Sequence, residues 1–114
     1  MGNGLEKLEK LPRVILAHTP TPIEHLPNLS EKIGGAALYV KRDDCTGLAL
    51  GGNKARQLEY YVGDALSQDA DTILITGAVQ SNFVRTAAAA AARYGLTCHI
   101  QLEERVKSAD ALYR

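Results

Sequence analysis

The sequence predicts an α/β protein with an open, parallel sheet and helices packed on it. Short apolar runs of strand length alternate with longer stretches that carry apolar residues at helical spacing, and short connections separate them. The order strand, helix, strand, helix, strand is typical of right-handed parallel units. Ligands bind such sheets where strands end and helices begin, so the connections at those points are the first places to look for a site.

Composition limits the classes of function. The 114 residues suffice for one small domain with a core, and thirteen basic residues balance thirteen acidic ones. This balance argues against nucleic-acid or anionic-membrane partners, and no apolar run is long enough to cross a bilayer. Cys45 and Cys98 stand apart without metal-ligand spacing. We therefore expect no metal site and a reducing, cytoplasmic location.

Residues 1–36 are predicted to form an N-terminal arm and a short helix, and residues 37–114 an α/β segment. The stretch HTPTPIEHLPNL holds every proline except Pro12, which favours an extended arm docked on the rest. Asn28 or Ser30 is expected to cap the short helix, which should end at the glycine pair 34–35.

The α/β segment should contain three strands and two helices. The strands are predicted at 37–41, 73–76 and 98–102, and the helices at about 53–68 and 81–94. The run ILIT at 73–76 is typical of a strand buried on both faces. SADALYR at 108–114 has the composition of a further helix start, so we expect the chain to be part of a longer protein.

Lys54 occupies an unusual place, because it follows two glycines and an asparagine at the start of the first of these helices. The predicted buried stripe comprises Leu58, Tyr61, Val62, Ala65 and Leu66. Lys54 lies one turn before Leu58 and should point inward, whereas Arg56, Gln57 and Glu59 should be more exposed. Burial and the helix dipole both disfavour a charged amine there, and a neutral amine can attack an aldehyde.

Other interpretations of Lys54 stay open. It can be a surface lysine whose stem lies over apolar side chains, or it can form an ion pair with Asp43 or Asp44. A phosphate-binding P-loop is excluded, because the spacing from Gly47 fails by one residue and Ala55 replaces the required Ser or Thr.

The connection TGAVQSN provides a second polar junction between a strand and a helix. Gln80, Ser81 and Asn82 lie at a helix start, where backbone N–H groups favour a carboxylate or phosphate. Ser81 or Asn82 alone can equally be an N-cap. Beside an inward-pointing Lys54, the serine–asparagine pair makes a candidate site.

Two stretches of the sequence resemble a known family. KRDDCTGLALGGNKARQLEY and TGAVQSNFVRTAAAAAARYGL are similar to the pyridoxal-phosphate enzymes of the tryptophan-synthase-β superfamily, in the branch of D-cysteine desulfhydrases and 1-aminocyclopropane-1-carboxylate deaminases. The resemblance runs from about Pro20 to Glu104. It implies the N-terminal part of a two-domain fold type II enzyme, a homodimer when complete, that releases ammonia and a 2-oxo acid from a small amino acid.

The resemblance also implies roles for individual residues. Lys54 would hold pyridoxal phosphate as a Schiff base and move protons at the substrate α-carbon. Asn53 would lie near the cofactor phosphate, and Asn82 would hydrogen-bond the ring hydroxyl. Ser81 and the backbone amides of 81–83 would bind the substrate carboxylate, with the serine hydroxyl as nucleophile or proton carrier. Phe83 completes the predicted substrate-binding set.

Two residues depart from the family pattern. Gln57 stands where a lysine near the phosphate is usual, and Phe83 stands where desulfhydrases have His and cyclopropane deaminases have Gln. The substrate can therefore differ from either, and a cysteate sulfo-lyase is a third possibility. Later parts of family members supply the phosphate-binding loop, so these 114 residues alone are expected to be inactive. The alternatives are a non-catalytic module that assembles with a sister subunit and an anion-binding domain in which Lys54 is a fixed charge.

Overall fold

The structure, a computed structural model, describes residues 4–104. The segment SADALYR lies outside them. The helices are α1 (Gly4–Leu8), α2 (Pro27–Ile33), α3 (Lys54–Ser67) and α4 (Asn82–Arg93), and the strands are β1 (Ile23–His25), β2 (Tyr39–Lys41), β3 (Thr72–Ala78) and β4 (Thr97–Glu103). Two short 3₁₀ turns, Asp43–Thr46 and Leu48–Leu50, connect β2 to α3. In this part of the chain, no helix has the length and apolar character that a membrane span needs.

The predicted parallel α/β architecture is confirmed by β3, α4 and β4. The two strands pair in parallel from Thr72 opposite Thr97 to Ala78 opposite Glu103, and α4 makes the crossover between them. Both helix predictions are also confirmed to within a residue or two. Gly95, with φ of 69°, follows the end of α4 as expected.

The strand predicted at 37–41 does not join this sheet, so that part of the prediction is wrong. Its core, β2, instead pairs antiparallel with β1, where Ile23 lies opposite Lys41. Gly34 ends α2 with φ of 75° and turns the chain back along the extended arm, which offers a nearby partner strand. The division of the chain at residue 36 stays a prediction.

Helix α2 begins earlier than predicted and is not capped by Asn28 or Ser30. Its N-cap is Leu26 without a side-chain bond, and Pro27 provides the first helical residue. Proline already has the helical φ and lacks the N–H that would need a cap. The Ser30 hydroxyl instead donates to the carbonyl oxygen of Leu26 at 2.7 Å and accepts from the Leu38 amide at 2.8 Å.

The core lies between the two long helices, one face of β3–β4 and the arm. Its buried members are Leu16, Leu58, Val62, Ala87, Ala90, Ala91 and Leu96. Leu58 and Val62 confirm two of the five members of the predicted α3 stripe, and Ala65 and Leu66 are half-buried. The small alanines let α4 lie close to the sheet.

Two predictions about the orientation of α3 are wrong. Tyr61 is 61% exposed and Glu59 is 1% exposed. The arm runs across the side of α3 that bears Glu59, so closely that a β-carbon on Gly63 would lie 2.7 Å from the Arg13 backbone. The buried stripe is therefore rotated toward Ala55, Glu59 and Gly63.

Strand β3 is not buried on both faces, contrary to the prediction. Ile73 and Ile75 pack on the core, whereas Leu74, on the opposite face, is 80% exposed. Both long helices lie on one side of the sheet. Within the described residues, nothing covers the other side.

Candidate functional site

The loop before α3 has a tightly folded backbone. Positive φ angles occur at Gly47, Ala49, Leu50, Gly51 and Gly52. A β-carbon on Gly51 would lie 1.9 Å from the carbonyl oxygen of Asp44, so only glycine fits there. This close approach brings residues 51–53 to the start of α3.

Internal hydrogen bonds hold the loop in place. The Gly52 amide donates to the Asp43 carbonyl at 3.0 Å, and the hydroxyl of the fully buried Thr46 donates to the Gly52 carbonyl at 2.8 Å. The carbonyl of Thr46 in turn accepts from the amide of His18 in the arm at 3.0 Å. The arm, the loop and α3 therefore form one connected unit.

The acidic residues of the loop are already paired with arginines. Arg56 donates to Asp43 through Nε and Nη2, both at 2.8 Å, and this bonding holds the pKa of Asp43 below its ordinary value. Bonds from Arg42 lower the pKa of Asp44 in the same way. The predicted alternative of an ion pair between Lys54 and either aspartate is therefore wrong.

Lys54 is the first residue of α3 and is half-buried. Its side-chain amine makes no hydrogen bond or ion pair with any residue between 4 and 104. Asn53 precedes it, with an exposed side chain that makes no capping bond. An unpaired primary amine and an unused amide thus stand together at this helix start, while Gln57 lies one turn farther on and is exposed.

The second junction is built around Ser81. Its Oγ accepts from the Val84 amide at 3.4 Å, which confirms that Ser81 is the N-cap of α4. Gly77, at the end of β3, permits this turn, because a β-carbon there would lie 2.6 Å from a methyl group of Val84. Asn82 follows with an exposed side chain, and Phe83 is half-buried against the core.

The structure brings the two junctions together. A β-carbon on Gly52 would lie 3.8 Å from Nδ2 of Asn82, and Nη2 of Arg85 donates to the Gly51 carbonyl at 3.2 Å. The two glycines shortly before Lys54 therefore touch the first turn of α4. Phe83 turns away from this contact and borders an apolar groove that it shares with Leu58, Tyr61, Val62, Ile73, Leu74, Ile75 and Thr76.

Two residues that organise the site were not predicted. Arg85 and Thr46 act on glycine carbonyls 34 and 6 residues away, and neither belongs to a recognisable local motif. Only the folded backbone shows which carbonyl each side chain reaches. The serine four residues before Arg85 marks the helix start but says nothing about what the arginine contacts.

The chemistry of these groups suits a ligand that carries both an aldehyde and an acidic group. Lys54 offers an unpaired amine for the aldehyde. The backbone N–H groups at the starts of α3 and α4 favour an anion, and the Asn53 and Asn82 amides can add hydrogen bonds. Gly52, with φ of 120°, leaves the space beside Asn82 free of a side chain.

Comparisons with known proteins agree with this chemistry. Residues 14–113 match the family described as "Pyridoxal-phosphate dependent enzyme". The chain is 52% identical over 108 residues to a 1-aminocyclopropane-1-carboxylate deaminase of Rhizobium leguminosarum bv. viciae, covering 93% of this chain and 32% of that protein. It is also 52% identical over 99 residues to a D-cysteine desulfhydrase of Salmonella paratyphi B, covering 87% and 30%.

A solved structure supports the same relationship. The crystal structure of an ACC deaminase homologue matches with a TM-score of 0.81 and 48% sequence identity, over 90% of this chain and 31% of that one. The chain spans about a third of the length of these relatives.

Proposed function

The chain belongs to the family of pyridoxal-phosphate dependent enzymes, and from that membership we propose that it supplies the lysine-bearing part of a lyase or deaminase for a small amino acid. The proposed reaction is like that of a D-cysteine desulfhydrase and releases ammonia and a 2-oxo acid. One arrangement carries the proposal: the Lys54 amine, which has no hydrogen-bond or ion-pair partner among residues 4–104, directly follows a loop that touches Asn82. Bound pyridoxal phosphate would supply an electron sink for the substrate α-carbon.

Lys54 has two proposed tasks. Its amine would bind the cofactor aldehyde, and it would hold or move the proton at the substrate α-carbon. Both tasks use the neutral amine as the nucleophile or base. The absence of a carboxylate partner within the described residues supports this assignment, because an ion pair would retain the charge.

Polar groups at the helix starts have proposed binding roles. Asn82 would hydrogen-bond the cofactor ring hydroxyl, and Asn53 would lie near the phosphate. Ser81, with the amides of residues 81–83, would bind the substrate carboxylate. Its Oγ accepts a bond within the cap, so its hydrogen is available to donate to an anion or carry a proton.

Phe83 and Gln57 bear on the identity of the substrate. Phe83 is half-buried beside the apolar groove and has no donor to offer a polar substrate group. Gln57 is exposed and uncharged, so the phosphate would rely on other groups. We propose D-cysteine as substrate, with 1-aminocyclopropane-1-carboxylate and cysteate as the alternatives that parallel assays of ammonia release would separate.

Covalent trapping tests the cofactor assignment. The whole protein that carries this chain would be incubated with pyridoxal phosphate, reduced with borohydride, digested and mapped by mass spectrometry. Lys54 should carry the label, and Lys54→Ala should lose it. Lys32→Ala, at an exposed site on α2, is the matched control and should keep it. If another residue carries the label, and inorganic phosphate protects the protein against thermal unfolding, the plain anion-binding domain would be favoured.

We further propose that the active unit includes more polypeptide, from the same protein or a sister subunit, and that it is a dimer. The support is the uncovered apolar surface, since Leu74 on the sheet and Tyr61 on α3 are mostly exposed. The alternative, a non-catalytic module that assembles with a sister subunit, would use the same surface.

Sedimentation of this 114-residue chain should reveal self-association, and a stable monomer would count against both assembly proposals. The unpaired Cys45 and Cys98 support a cytoplasmic location.

A further inference from the structure

We propose that Arg85 is a positioning residue that holds the loop before α3 against the first turn of α4 and so sets Lys54 beside Asn82. The proposal rests on the function proposed for Lys54. The observation behind it is the hydrogen bond from Nη2 of Arg85 to the Gly51 carbonyl, 3.2 Å long. Gly51 lies three residues before Lys54, and Arg85 lies three residues after Asn82.

The loop needs restraint because its backbone is strained. Ala49 has φ of 46° and Leu50 has φ of 70°, a region that side-chain-bearing residues rarely adopt. Such residues persist only where surrounding contacts fix them. Gly51 directly follows these two strained residues. The position of Gly51 and Gly52 therefore depends on the hydrogen bonds that fix the loop.

These bonds have different origins. Thr46 and Asp43 bond to Gly52 from within the loop itself, so they fix its shape but not its place relative to α4. Within residues 4–104, the bond from Arg85 is the hydrogen bond that joins this loop to α4. The contact between Gly52 and the Asn82 side chain, at 3.8 Å from a β-carbon position, is only van der Waals contact. Leu48 of the same loop also packs against the core beside α4, so Arg85 adds the directional bond that fixes Gly51 relative to the first turn of α4.

A matched pair of arginines on α4 provides the test. Arg85→Met removes the bond to Gly51, whereas Arg93→Met removes a comparable bond to the Leu16 carbonyl, 3.5 Å long and away from the loop. Amide hydrogen exchange would be measured at Gly51 and Gly52, which donate to Leu48 and Asp43. We expect exchange to be about fivefold faster in Arg85→Met and unchanged in Arg93→Met. Equal rates in wild type and Arg85→Met would overturn the proposal.

Cofactor affinity provides the second measurement, made in the whole protein that carries the chain. Arg85→Met should weaken pyridoxal phosphate labelling of Lys54 about fivefold, and Arg85→Lys should restore part of it. Faster exchange with unchanged affinity would mean that the bond holds the loop but does not position the site, and it too would overturn the proposal. If wild-type Lys54 is not labelled at all, the proposed function fails, while the exchange rates still decide whether Arg85 holds the loop.

Discussion

Glu59 and Arg13 form an ion pair, 2.5 Å from Oε2 to Nη2, in which the glutamate side chain is only 2% exposed. Oε1 of Glu59 accepts from the amides of Leu16 at 3.0 Å and Ala17 at 2.9 Å. Burial opposes ionisation of Glu59, but these amides and the guanidinium outweigh it, so its pKa lies below the ordinary value. The helix that begins with Lys54 is thereby fastened to the arm.

Replacing Glu59 should destabilise the fold. Glu59→Gln keeps the size of the side chain but removes the charge, and its amide group would face donors. Because Arg13 is half-exposed and can turn to water, we expect a loss of about 2 kcal/mol in the free energy of unfolding. Urea titration would measure it. Glu31→Gln, at an exposed site on α2, should change stability by less than about 0.5 kcal/mol. An equal effect of both variants would contradict the assigned role.

Stability should depend on pH through the same carboxylate. Since the folded-state pKa of Glu59 is lower than its unfolded value, its contribution is complete above the unfolded pKa and is lost as pH falls through the folded pKa. Urea midpoints of the wild type should therefore drop below about pH 4, and Glu59→Gln should flatten this fall. Asp43 and Asp44, whose pKa values are also lowered, should leave a residual slope. Parallel curves for wild type and variant would refute the prediction.

Gly51 should tolerate no side chain. Gly51→Ala would place a carbon 1.9 Å from the Asp44 carbonyl, so we expect a loss of more than about 2 kcal/mol and disruption of the loop. Gly35→Ala is the control, because Gly35 also has positive φ but its β-carbon would meet nothing within 4 Å. It should cost only the conformational strain, about 1 kcal/mol. Thermal unfolding would compare the two, and similar losses would show that crowding at Gly51 is unimportant.

Ser81 allows its capping role to be separated from its proposed binding role. Ser81→Ala should lose about 1 kcal/mol of stability, whereas Ser81→Asp should stay within about 0.5 kcal/mol of the wild type because aspartate also caps helices. In the whole protein, however, the aspartate would repel a substrate carboxylate and should raise KM at least about tenfold. An unchanged KM in Ser81→Asp would leave Ser81 as a cap only.

The sequence predicted the parallel part of the fold because its signals are local. The apolar run before Gly77, the serine cap at Ser81 and the glycine stop at Gly95 each act within a few residues, and the structure confirms β3, α4 and β4. The antiparallel pairing of 39–41 with 23–25 could not be predicted in this way. It depends on where the chain returns after Gly34, and short strands carry no signal for their partner.

The sequence singled out the residues of the candidate site, whose roles stay predictions, but did not show how those residues are arranged. The two polar junctions drew attention to Lys54 and Asn82, and the structure brings their loops into contact. The buried Glu59 was missed because the apolar residues of α3 placed the predicted stripe on the side of Tyr61 and left Glu59 outside it. Its environment is created by an arm that lies more than forty residues earlier in the chain. Arg85 was missed because no local signal marks the Gly51 carbonyl, 34 residues earlier, as its partner.

The attachment of the arm to Glu59 has a consequence for the order of folding. The three residues that bond to Glu59 lie 46, 43 and 42 positions before it. Forming this contact therefore costs the conformational entropy of closing a long loop before any of the three bonds stabilises it. The β3–α4–β4 unit joins residues closer together in sequence. We therefore expect it to collapse first with α3, and the arm to dock in a later, slower phase.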